Sequence, residues 1–404
     1  MTNTVSGMPA RSLEFGIYRD GDNNLDAVQA VTLRQALQSS SKNAAVEFTI
    51  EDTTSVGSGV LHTDEFRVAD GRIASPHVGP AHDMASEANL ARFVAHVLDD
   101  AQLCGARQTW IELTDHGAGD GGGLEAQSSK HIMAMPDMAR AIAEGVALHA
   151  QAHPEDAGRR VDGVAANQCL MASLGFADSL SHAGVRFLAA SPETMLAPGT
   201  PSGIADAIAK NQTDPTVMGR DVVDTVMNYR YGSGGLAWGP AAAFDVLDVS
   251  AEKMRPVEAA VKSFNDAAAR AALSDVSARA DLRADAAAVK GMTRFPEATP
   301  DMPWHADRPA IALYDTIAGD GRLEPALRQA AKEAERAVAA TVVAHAEKRD
   351  FAPFGGADYS DAVGPTVHVP VTRRQIDPWA PKVSETHNPF YKETDGALLA
   401  GALA

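Results

Sequence analysis

The sequence predicts an α/β protein whose core is a mainly parallel β-sheet flanked by helices. Three observations lead to this fold class. Short apolar runs alternate with helical patterns over residues 13–250, and strands that alternate with helices form parallel sheets covered on both faces. Hydrophobic residues make up 45% of the 404 residues, which is enough for a large core. No internal repeat or low-complexity tract interrupts the pattern.

The pattern of apolar residues places the individual elements. We predict strands at Leu13–Tyr18, Val46–Ile50, Thr109–Leu113, Val161–Ala166, Val185–Ala190 and Ala242–Leu247. We predict helices at Leu25–Gln38, Ala85–Ala101, Met135–Ala150, Met171–Ser181, Ile204–Lys210 and Thr216–Tyr231. The segment Gly59–Ile73 alternates apolar and polar residues and contains Asp70-Gly71, which indicates a hairpin at the edge of the sheet.

The composition changes after Ser250. Ala251–Lys290 is rich in Ala, Arg and Asp, and predicts one or two long helices. The further predicted elements are a strand near Ala310–Tyr314, a helix over Glu324–Lys348, a strand near Thr366–Val371 and a short helix within Pro389–Ala404. We therefore divide the chain into a flexible N-terminus (residues 1–12), a core (residues 13–250) and a mostly helical C-terminal part (residues 251–404) packed on that core.

The net charge narrows the class of partners. The chain has 53 acidic and 35 basic residues and a formal charge of −18. A protein this acidic repels phosphate backbones, so we do not expect it to bind nucleic acid. The charge is compatible with basic peptides as ligands, although acidic surfaces most often serve solubility.

The cysteines and the apolar runs indicate a compartment. With only Cys104 and Cys169, a disulfide scaffold is excluded. Met1–Arg11 lacks the apolar stretch of a signal peptide, and no run of about 18 apolar residues could span a membrane. We therefore expect a soluble protein of the reducing cytoplasm, where a free thiolate persists.

Two of the predicted strands end in residues that can do chemistry. One apolar run leads directly into His116, which is followed by Gly117 and Gly119. Another run ends at Ala166 and is followed by Cys169, where a helical pattern begins. Function collects at the carboxyl ends of parallel strands, so both side chains are candidates. A helix N-terminus would lower the pKa of Cys169 and favour the thiolate.

The order and spacing of His116 and Cys169 favour a catalytic pair. Each residue alone has an ordinary explanation, because a histidine at a strand end usually hydrogen-bonds a loop and a lone cysteine is usually a buried small hydrophobe. The stretch between them has room for one crossover helix, so their strands can be neighbours. The imidazole and the thiol would then share one rim, with the N–H groups of Gly117 and Cys169 as oxyanion donors.

Five segments resemble, in order, the motifs of the clostripain-like (C11) cysteine peptidases of the caspase-like clan. They are Tyr18–Leu25 (Y-x-x-x-D-N-N-L), Asp115–Gly119 (the catalytic-histidine strand end), Gln168–Met171 (D-A-C-L-M), Ala190–Gly199 (A-S-x-E-T followed by P-G) and Ala242–Asp248 (the strand that ends the core). The resemblance covers residues 13–250, and Gly364–Pro370 weakly matches a C-terminal strand. It implies a caspase-like α/β fold and a cysteine endopeptidase with Cys169 as nucleophile, His116 as acid and base, and a thioester intermediate.

The sequence departs from this family where the substrate's P1 side chain, the one before the cut bond, would bind. Family members that cut after Arg or Lys carry an acid two residues before the cysteine, where this chain has Asn167. A buried guanidinium without a carboxylate is strongly unfavourable, so we do not expect a strictly basic P1 preference. Glu193 and Asp22 are the other acids that could bind substrate.

Other motifs carry less weight. Gly117–Gly122 fits G-x-G-x-x-G, but no helix pattern follows at once, so we expect no dinucleotide cofactor. Asp20–Asn24 begins like a calcium loop, yet Leu25 stands where the turn needs Gly; we expect this segment to cap a helix and to shape the rim of the cleft. The resemblance still allows calcium elsewhere. Cys104 is expected to be structural. Three histidines in polar stretches lack ligand spacing, so no zinc site is predicted for His131, His149 and His153.

Two rival functions stay open beside the peptidase. One is a catalytically inactive binding protein that kept the fold, and the other is an amidase or acyltransferase that uses the same dyad on small amides. Peptides or proteins are the expected substrates, and the sequence does not define the oligomeric state. Members of the resembling family are often processed after the catalytic histidine, where Lys130 lies in an exposed polar stretch. Lys130 is therefore the candidate self-cleavage site, with Arg159-Arg160 as the second.

Overall fold

The computed structural model has an α/β architecture built around one extended sheet. It describes residues 11–232, 238–290, 306–351, 353, 356, 358–372, 375 and 388–403. Residues 1–10, most of the N-terminus expected to be flexible, lie outside this part of the chain.

The strands occupy the following ranges in chain order. They are β1 (Leu13–Asp20), β2 (Val46–Thr54), β3 (His62–Ala69), β4 (Arg72–Pro80), β5 (Gln108–Thr114), β6 (Gly123–Ala126), β7 (His131–Met133), β8 (Gly163–Asn167), β9 (Phe187–Ala190), β10 (Ala243–Asp248), β11 (Asp307–Pro309), β12 (Val342–Glu347) and β13 (Thr366–His368). Strands β6 and β7 form one small separate sheet, and β11 and β13 form another.

The helices cover both faces of the main sheet. They are α1 (Asp26–Gln29), α2 (Val31–Lys42), α3 (Glu87–Cys104), α4 (Met135–Ala152), α5 (Leu174–His182), α6 (Ile204–Lys210), α7 (Pro215–Asn228), α8 (Ala251–Ser274), α9 (Val276–Ala288), α10 (Ala310–Gly319), α11 (Pro325–Ala339), α12 (Pro389–Glu393) and α13 (Gly396–Leu403). Among the described residues, no helix is both long and apolar enough to cross a membrane.

The main sheet is parallel at its centre and antiparallel at its edges. In the described part of the chain it has nine strands in the order β12-β10-β9-β8-β5-β1-β2-β3-β4. The strands from β9 to β2 in that order run parallel, and antiparallel strands extend the sheet on both sides. This confirms the predicted mainly parallel sheet. The hairpin of β3 and β4 turns at Asp70 and Gly71, both with positive φ (51° and 72°), as the sequence predicted.

Strand β1 shows how alternation along the sequence divides the core in two. Leu13, Phe15 and Ile17 face a cluster formed with α2, α6 and α7. Gly16 faces the other side, where α3 crosses so closely that a β-carbon on Gly16 would lie 2.7 Å from Val97 Cγ2. Glycine therefore allows α3 to pack directly on the sheet.

Most of the C-terminal part follows the prediction. Helices α8 and α9 account for the long helical pattern over Ala251–Lys290, and β13 lies at the predicted strand near residue 366. The predicted strand at Ala310–Tyr314 is wrong, because these residues form the first half of α10. Leu313, Tyr314 and Ile317 recur at helical spacing and are all buried, which a short apolar run does not reveal on its own.

The helix predicted over Glu324–Lys348 is correct only in its first half. Helix α11 ends at Ala339, and β12 takes the remaining residues into the main sheet beside β10. His345 of β12 lies opposite Asp245 of β10, and their side chains pair at 2.7 Å. Pairing with an existing sheet edge therefore overrides the helical propensity of this segment.

Candidate active site

The carboxyl ends of β5 and β8 carry His116 and Cys169. The two strands pair in parallel with Thr114 opposite Asn167, and each candidate residue follows that pair by two positions. Both therefore leave the sheet at the same level on the same edge, as expected for neighbouring parallel strands. The side-chain amide of Gln168 links the two loops by donating to the His116 carbonyl at 2.9 Å.

Gly117 lies directly against the backbone of Cys169. A β-carbon on Gly117 would lie 2.9 Å from the Cys169 nitrogen and closer still to its carbonyl oxygen, so only glycine permits this approach. No backbone carbonyl of the described residues accepts a hydrogen bond from the N–H of Gly117 or of Cys169. The structure thus brings together two backbone segments whose N–H groups can stabilise an oxyanion.

Cys169 lies in a tight turn and not at the start of a helix. Leu170 has a φ of 66°, and its N–H donates to the carbonyl of Glu193 at 3.1 Å. Helix α5 begins only at Leu174, with Ser173 as its N-cap. The predicted helix N-terminus at Cys169 is therefore wrong, because the chain first bonds to the loop after β9.

The surroundings of Cys169 favour the neutral thiol. Burial raises its pKa to about 11, and the negative charges of Glu193 and Asp115 add to that rise. The Met195 N–H lies 3.3 Å from Sγ, and the Met195 carbonyl oxygen lies 3.7 Å from it. The expected helix dipole is missing at this position, so a nucleophilic role for this thiol would require a base that takes its proton.

Asn24 fixes the protonation of His116. Burial lowers the pKa of His116, against the charge of Glu125, which raises it. His116 Nε2 lies 2.7 Å from Asn24 Oδ1. With the Asn24 amide in this orientation its oxygen accepts, which assigns the proton of a neutral ring to Nε2 and leaves the lone pair on Nδ1. Asn24 was predicted only to help cap a helix and shape the rim of the cleft, although it lies in the first segment that resembles the C11 family.

The glycine-rich loop after His116 is held by the C-terminal part of the chain. Asp120, buried in this loop, accepts a hydrogen bond from the Tyr391 hydroxyl at 2.6 Å. Tyr391 also accepts from the backbone N–H of His368 at 2.9 Å, and the His368 ring pairs with Asp307 at 2.6 Å. Residues far apart in sequence therefore fix the loop that follows the candidate base.

A cavity of about 190 Å³ beside Cys169 is the candidate P1 pocket. Besides His116 and Cys169, its wall includes Leu25, Gln29, Asp115, Asn167, Gln168 and the segment 194–199 after β9. Asn167 uses both ends of its side-chain amide inside the protein. Oδ1 accepts from the Thr200 N–H at 2.7 Å, while Nδ2 donates to Glu112 Oε1 at 3.3 Å and to the Pro198 carbonyl at 3.4 Å.

Glu112 is a buried acid behind Asn167 that sequence reasoning missed. It is fully buried in β5, where its carboxylate also accepts from the Thr114 hydroxyl at 2.8 Å. Burial raises its pKa to about 7. Asn167 lies in the cavity wall and Glu112 does not. The signal in the sequence was a charged residue inside the otherwise apolar run Trp110–Leu113.

The other acids predicted to bind substrate lie outside the cavity wall. Glu193 is buried under the turn at Cys169. Asp22 accepts hydrogen bonds from the Ser128 N–H at 2.9 Å and from the Ser128 hydroxyl. Their roles as substrate-binding residues stay predictions. Lys130 is exposed in the turn between β6 and β7, with a φ of 59°.

Four clusters in the described part of the chain have side chains of the types that hold metals. They are Asp99 with His149 and His153; Glu14 with Glu47 and Cys104; Glu51 with Glu65 and His82; and Asp120 with Asp307 and His368. None of them contains His116 or Cys169. His149 and His153 were set aside for lack of ligand spacing, yet they stand four residues apart at the end of α4, and their ring centroids are 5.0 Å apart.

Three solved structures share this architecture over nearly the whole chain. The X-ray structure of a secreted C11 cysteine protease from Bacteroides thetaiotaomicron, in complex with an irreversible peptide inhibitor, has a TM-score of 0.67 and 12% identity, and the match covers 95% of this chain and 99% of that one. A second structure of a secreted C11 cysteine protease from that organism, iotapain, gives a TM-score of 0.64 and 13% identity over 96% and 100% of the two chains. An inactive zymogen of a C11 protease from Parabacteroides distasonis gives 0.63 and 15% over 97% and 99%.

These similarities confirm the predicted caspase-like α/β fold. No protein-family model matches the chain, and no curated protein matches its sequence. At 12–15% identity the likeness establishes the fold, and the chemistry has to be argued from the residues of the site.

Proposed function

We propose that this protein is a cysteine endopeptidase that cleaves peptide bonds with Cys169 as nucleophile and His116 as general acid and base. The observation that carries the proposal is the contact of Gly117 with the Cys169 backbone at the ends of two paired strands. This contact supports a site in which a thiol, an imidazole and two backbone N–H donors lie close together. Acyl transfer requires these groups.

The proposed reaction starts from the neutral thiol of Cys169 and the neutral imidazole of His116. His116 Nδ1 takes the thiol proton as Sγ attacks the peptide carbonyl, and the N–H groups of Gly117 and Cys169 stabilise the oxyanion. His116 then gives that proton to the amine as the C–N bond breaks, which leaves a thioester on Cys169. Water attacks the thioester with His116 as base, and the proton returns to Sγ as the acid leaves. The proposal includes no metal or cofactor.

The pocket supports a substrate whose P1 side chain carries no charge. The side-chain amide of Asn167 is already bonded to Thr200, Pro198 and Glu112, so it has little capacity left for a guanidinium or an ammonium. Asp115, the acid in the cavity wall, accepts from Asn23 and from the Glu125 N–H, and burial raises its pKa well above the ordinary value, which favours the uncharged form. We place the protein in the reducing cytoplasm, since both of its cysteines are free. The similar protein from Bacteroides thetaiotaomicron is secreted, and cell fractionation would test the assignment.

The first prediction compares the two cysteines. Cys169→Ala should lower kcat/KM on a peptide library by at least about a thousandfold, because the nucleophile is lost. The matched control is Cys104→Ala: Cys104 is buried at the end of α3, where its thiol faces Glu14 Oε2 at 3.6 Å, outside the cavity wall. This variant should keep most of the activity.

The same library separates the rival functions. Turnover of small amides without cleavage of peptides would indicate an amidase. A wild-type protein that cleaves nothing, and whose Cys169 reacts with a peptide electrophile no faster than free cysteine, would indicate an inactive binding protein. Activity that survives Cys169→Ala but is lost in Cys104→Ala would overturn the assignment of the nucleophile.

A further inference from the structure

A second groove lies beside His116, and its wall has only this residue in common with the wall of the P1 cavity. Its wall contains His116, Gly117, Ala118, Gly122, Glu125 and Ile132. His116 is common to this groove and to the P1 cavity. We call this second groove the glycine-loop groove. It is formed by the loop after His116 and by the small sheet of β6 and β7, so it is separate from the segment after β9 that encloses the other cavity.

The chemistry of the proposed reaction determines which part of a substrate meets this groove. The acyl part of the substrate becomes attached to Cys169 and carries the P1 side chain. The leaving amine receives its proton from His116, so the first residue after the cut bond has to lie against the imidazole. A groove that shares His116 with the P1 cavity but none of its other wall residues is therefore a candidate to hold that residue.

Glu125 gives the glycine-loop groove its charge. The pairing of β6 with β7 is irregular between Gly123 and Glu125, and Leu124, with a φ of 54°, turns into the core where it is fully buried. Such a bulge re-aims the next side chain. Glu125 is then partly exposed opposite Ile132, in the groove wall.

The backbone of Glu125 is anchored on both sides. Its N–H donates to the Asp115 carboxylate, and its carbonyl accepts from the Asn23 side chain at 3.3 Å. Its charge raises the pKa of His116 against the effect of burial, so the carboxylate acts on the imidazole electrostatically. A carboxylate held at this point, beside the apolar side chain of Ile132, suits the charged head and the aliphatic stem of a long basic residue.

We propose that the glycine-loop groove binds the residue that follows the cut bond, and that Glu125 makes this subsite prefer arginine or lysine. The inference rests on the proposed peptidase function and extends it, because it assigns a substrate preference to the side of the bond that leaves. It also separates two specificities within one site, an uncharged residue before the bond and a basic residue after it. For a partly exposed charge pair we expect a preference of about fivefold.

Acyl transfer tests the subsite directly. During turnover of the best library peptide, argininamide, alaninamide and glutamic acid amide are supplied in turn as acceptors that compete with water. The amine nitrogen attacks the thioester carbonyl, the C–S bond breaks, and the amine proton passes through His116 to Sγ. The ratio of the new amide to the hydrolysed acid measures binding after the bond. Changes in the basicity of His116 affect both branches, so they largely cancel in this ratio.

The variants Glu125→Gln and Glu125→Lys should change the ratio in a defined way. Wild-type protein should capture argininamide about five times better than alaninamide; Glu125→Gln should remove the preference, and Glu125→Lys should transfer it to glutamic acid amide. Glu144→Gln, which removes an exposed charge on α4, is the matched control and should behave as wild type. Equal capture by wild type, or a preference that survives Glu125→Gln, overturns the subsite while peptide cleavage stands. A protein that cleaves no peptide fails the proposed function, and the subsite fails with it.

Discussion

At the scale of single residues, Asn167 is the position where a substitution would add a negative charge to the P1 cavity wall. Its Nδ2 faces Glu112 and the Pro198 carbonyl, so a carboxylate here would meet oxygen atoms where the amide donates. We expect Asn167→Asp to increase the preference for Arg or Lys at P1 by about tenfold, since it adds a charge to the cavity wall. We also expect it to lower the free energy of unfolding by about 1–2 kcal/mol.

Glu112 provides the matched control for that substitution. The double variant Asn167→Asp/Glu112→Gln lets the new glutamine amide donate to the aspartate, so it should recover stability and retain the new preference. Library cleavage and thermal unfolding measure the two effects separately. A wild-type enzyme that already cuts only after Arg or Lys would contradict the model of an uncharged pocket.

The titration of the dyad gives a second prediction at this scale. The pKa of His116 lies below its ordinary value, and that of Cys169 is about 11, so both groups are neutral around pH 7. The kcat/KM should therefore fall only as the pH drops through the lowered pKa of His116, and should stay level to about pH 9. Alkylation of Cys169 by iodoacetamide at pH 7.5 should be slower than that of free cysteine and should accelerate as the pH rises. Faster alkylation than free cysteine would reveal a preformed thiolate.

The residues of the site differ in how far the sequence could predict them. His116, Gly117 and Cys169 follow apolar runs that the chain pairs as neighbouring strands, so pattern alone placed them at one edge. Asn24 and Glu112 act through contacts with residues about 92 and 55 positions away, respectively. Such contacts depend on how loops and strands are packed together, and no local pattern encodes them.

At the scale of elements, the hairpin of β6 and β7 holds Lys130, the residue predicted as the candidate self-cleavage site. Asp22 holds the turn of this hairpin through two hydrogen bonds. Its carboxylate accepts from the Ser128 N–H, and its backbone carbonyl accepts from the Gln127 N–H at 3.0 Å. Lys130 would have to leave this hairpin to enter any active site, and the P1 cavity wall offers a lysine no partner acid at Asn167. We therefore expect the chain to stay intact, although Lys130 is exposed.

Intact mass measurements after incubation test this expectation. Wild-type protein and Cys169→Ala should each give one intact mass, and the two masses should differ only by the substitution. Fragments that meet near Lys130 in the wild type alone would show self-cleavage and would require an acid in the P1 pocket.

The elements also show where local pattern and tertiary context diverge. The parallel strands of the core were predicted because burial on both faces leaves a continuous apolar run. Strand β12 was predicted as helix although it begins with Val342 and Val343, because the Ala, His and Glu residues that follow continue the helical pattern of α11. Pairing with the edge of β10 makes this segment a strand. The turn at Cys169 was missed for a similar reason, because its partners lie in the loop after β9.

At the scale of the whole molecule, a pair of carboxyl groups joins the core to the C-terminal part. Asp178 of α5 is buried, and Glu258 of α8 and Glu393 lie near it; His182 lies 3.5 Å away. Burial and the charge of Glu258 raise the pKa of Asp178 to about 8. A carboxyl group with a raised pKa in the folded state stabilises the fold at low pH, and this contribution is lost as the pH rises towards about 8.

The protein should therefore become less stable as the pH rises from about 4 to about 8, by a few kcal/mol from this group. Asp178→Asn should flatten that part of the profile, because the amide cannot ionise. Asp315→Asn, at an exposed position of α10, should leave the profile unchanged. Chemical denaturation across this range measures the effect, and an equal slope in all three proteins would refute it.

The bond between Tyr391 and Asp120 spans 271 positions of the chain, and translation proceeds from the N-terminus. His116 and Cys169 leave the ribosome long before Tyr391 does, so the loop behind the imidazole lacks this support while the rest is being made. The nascent chain therefore carries the imidazole of His116 and the thiol of Cys169 before the loop behind His116 is complete. If the proposed peptidase needs this contact, cleavage can begin only after Tyr391 has emerged and the loop behind His116 is complete.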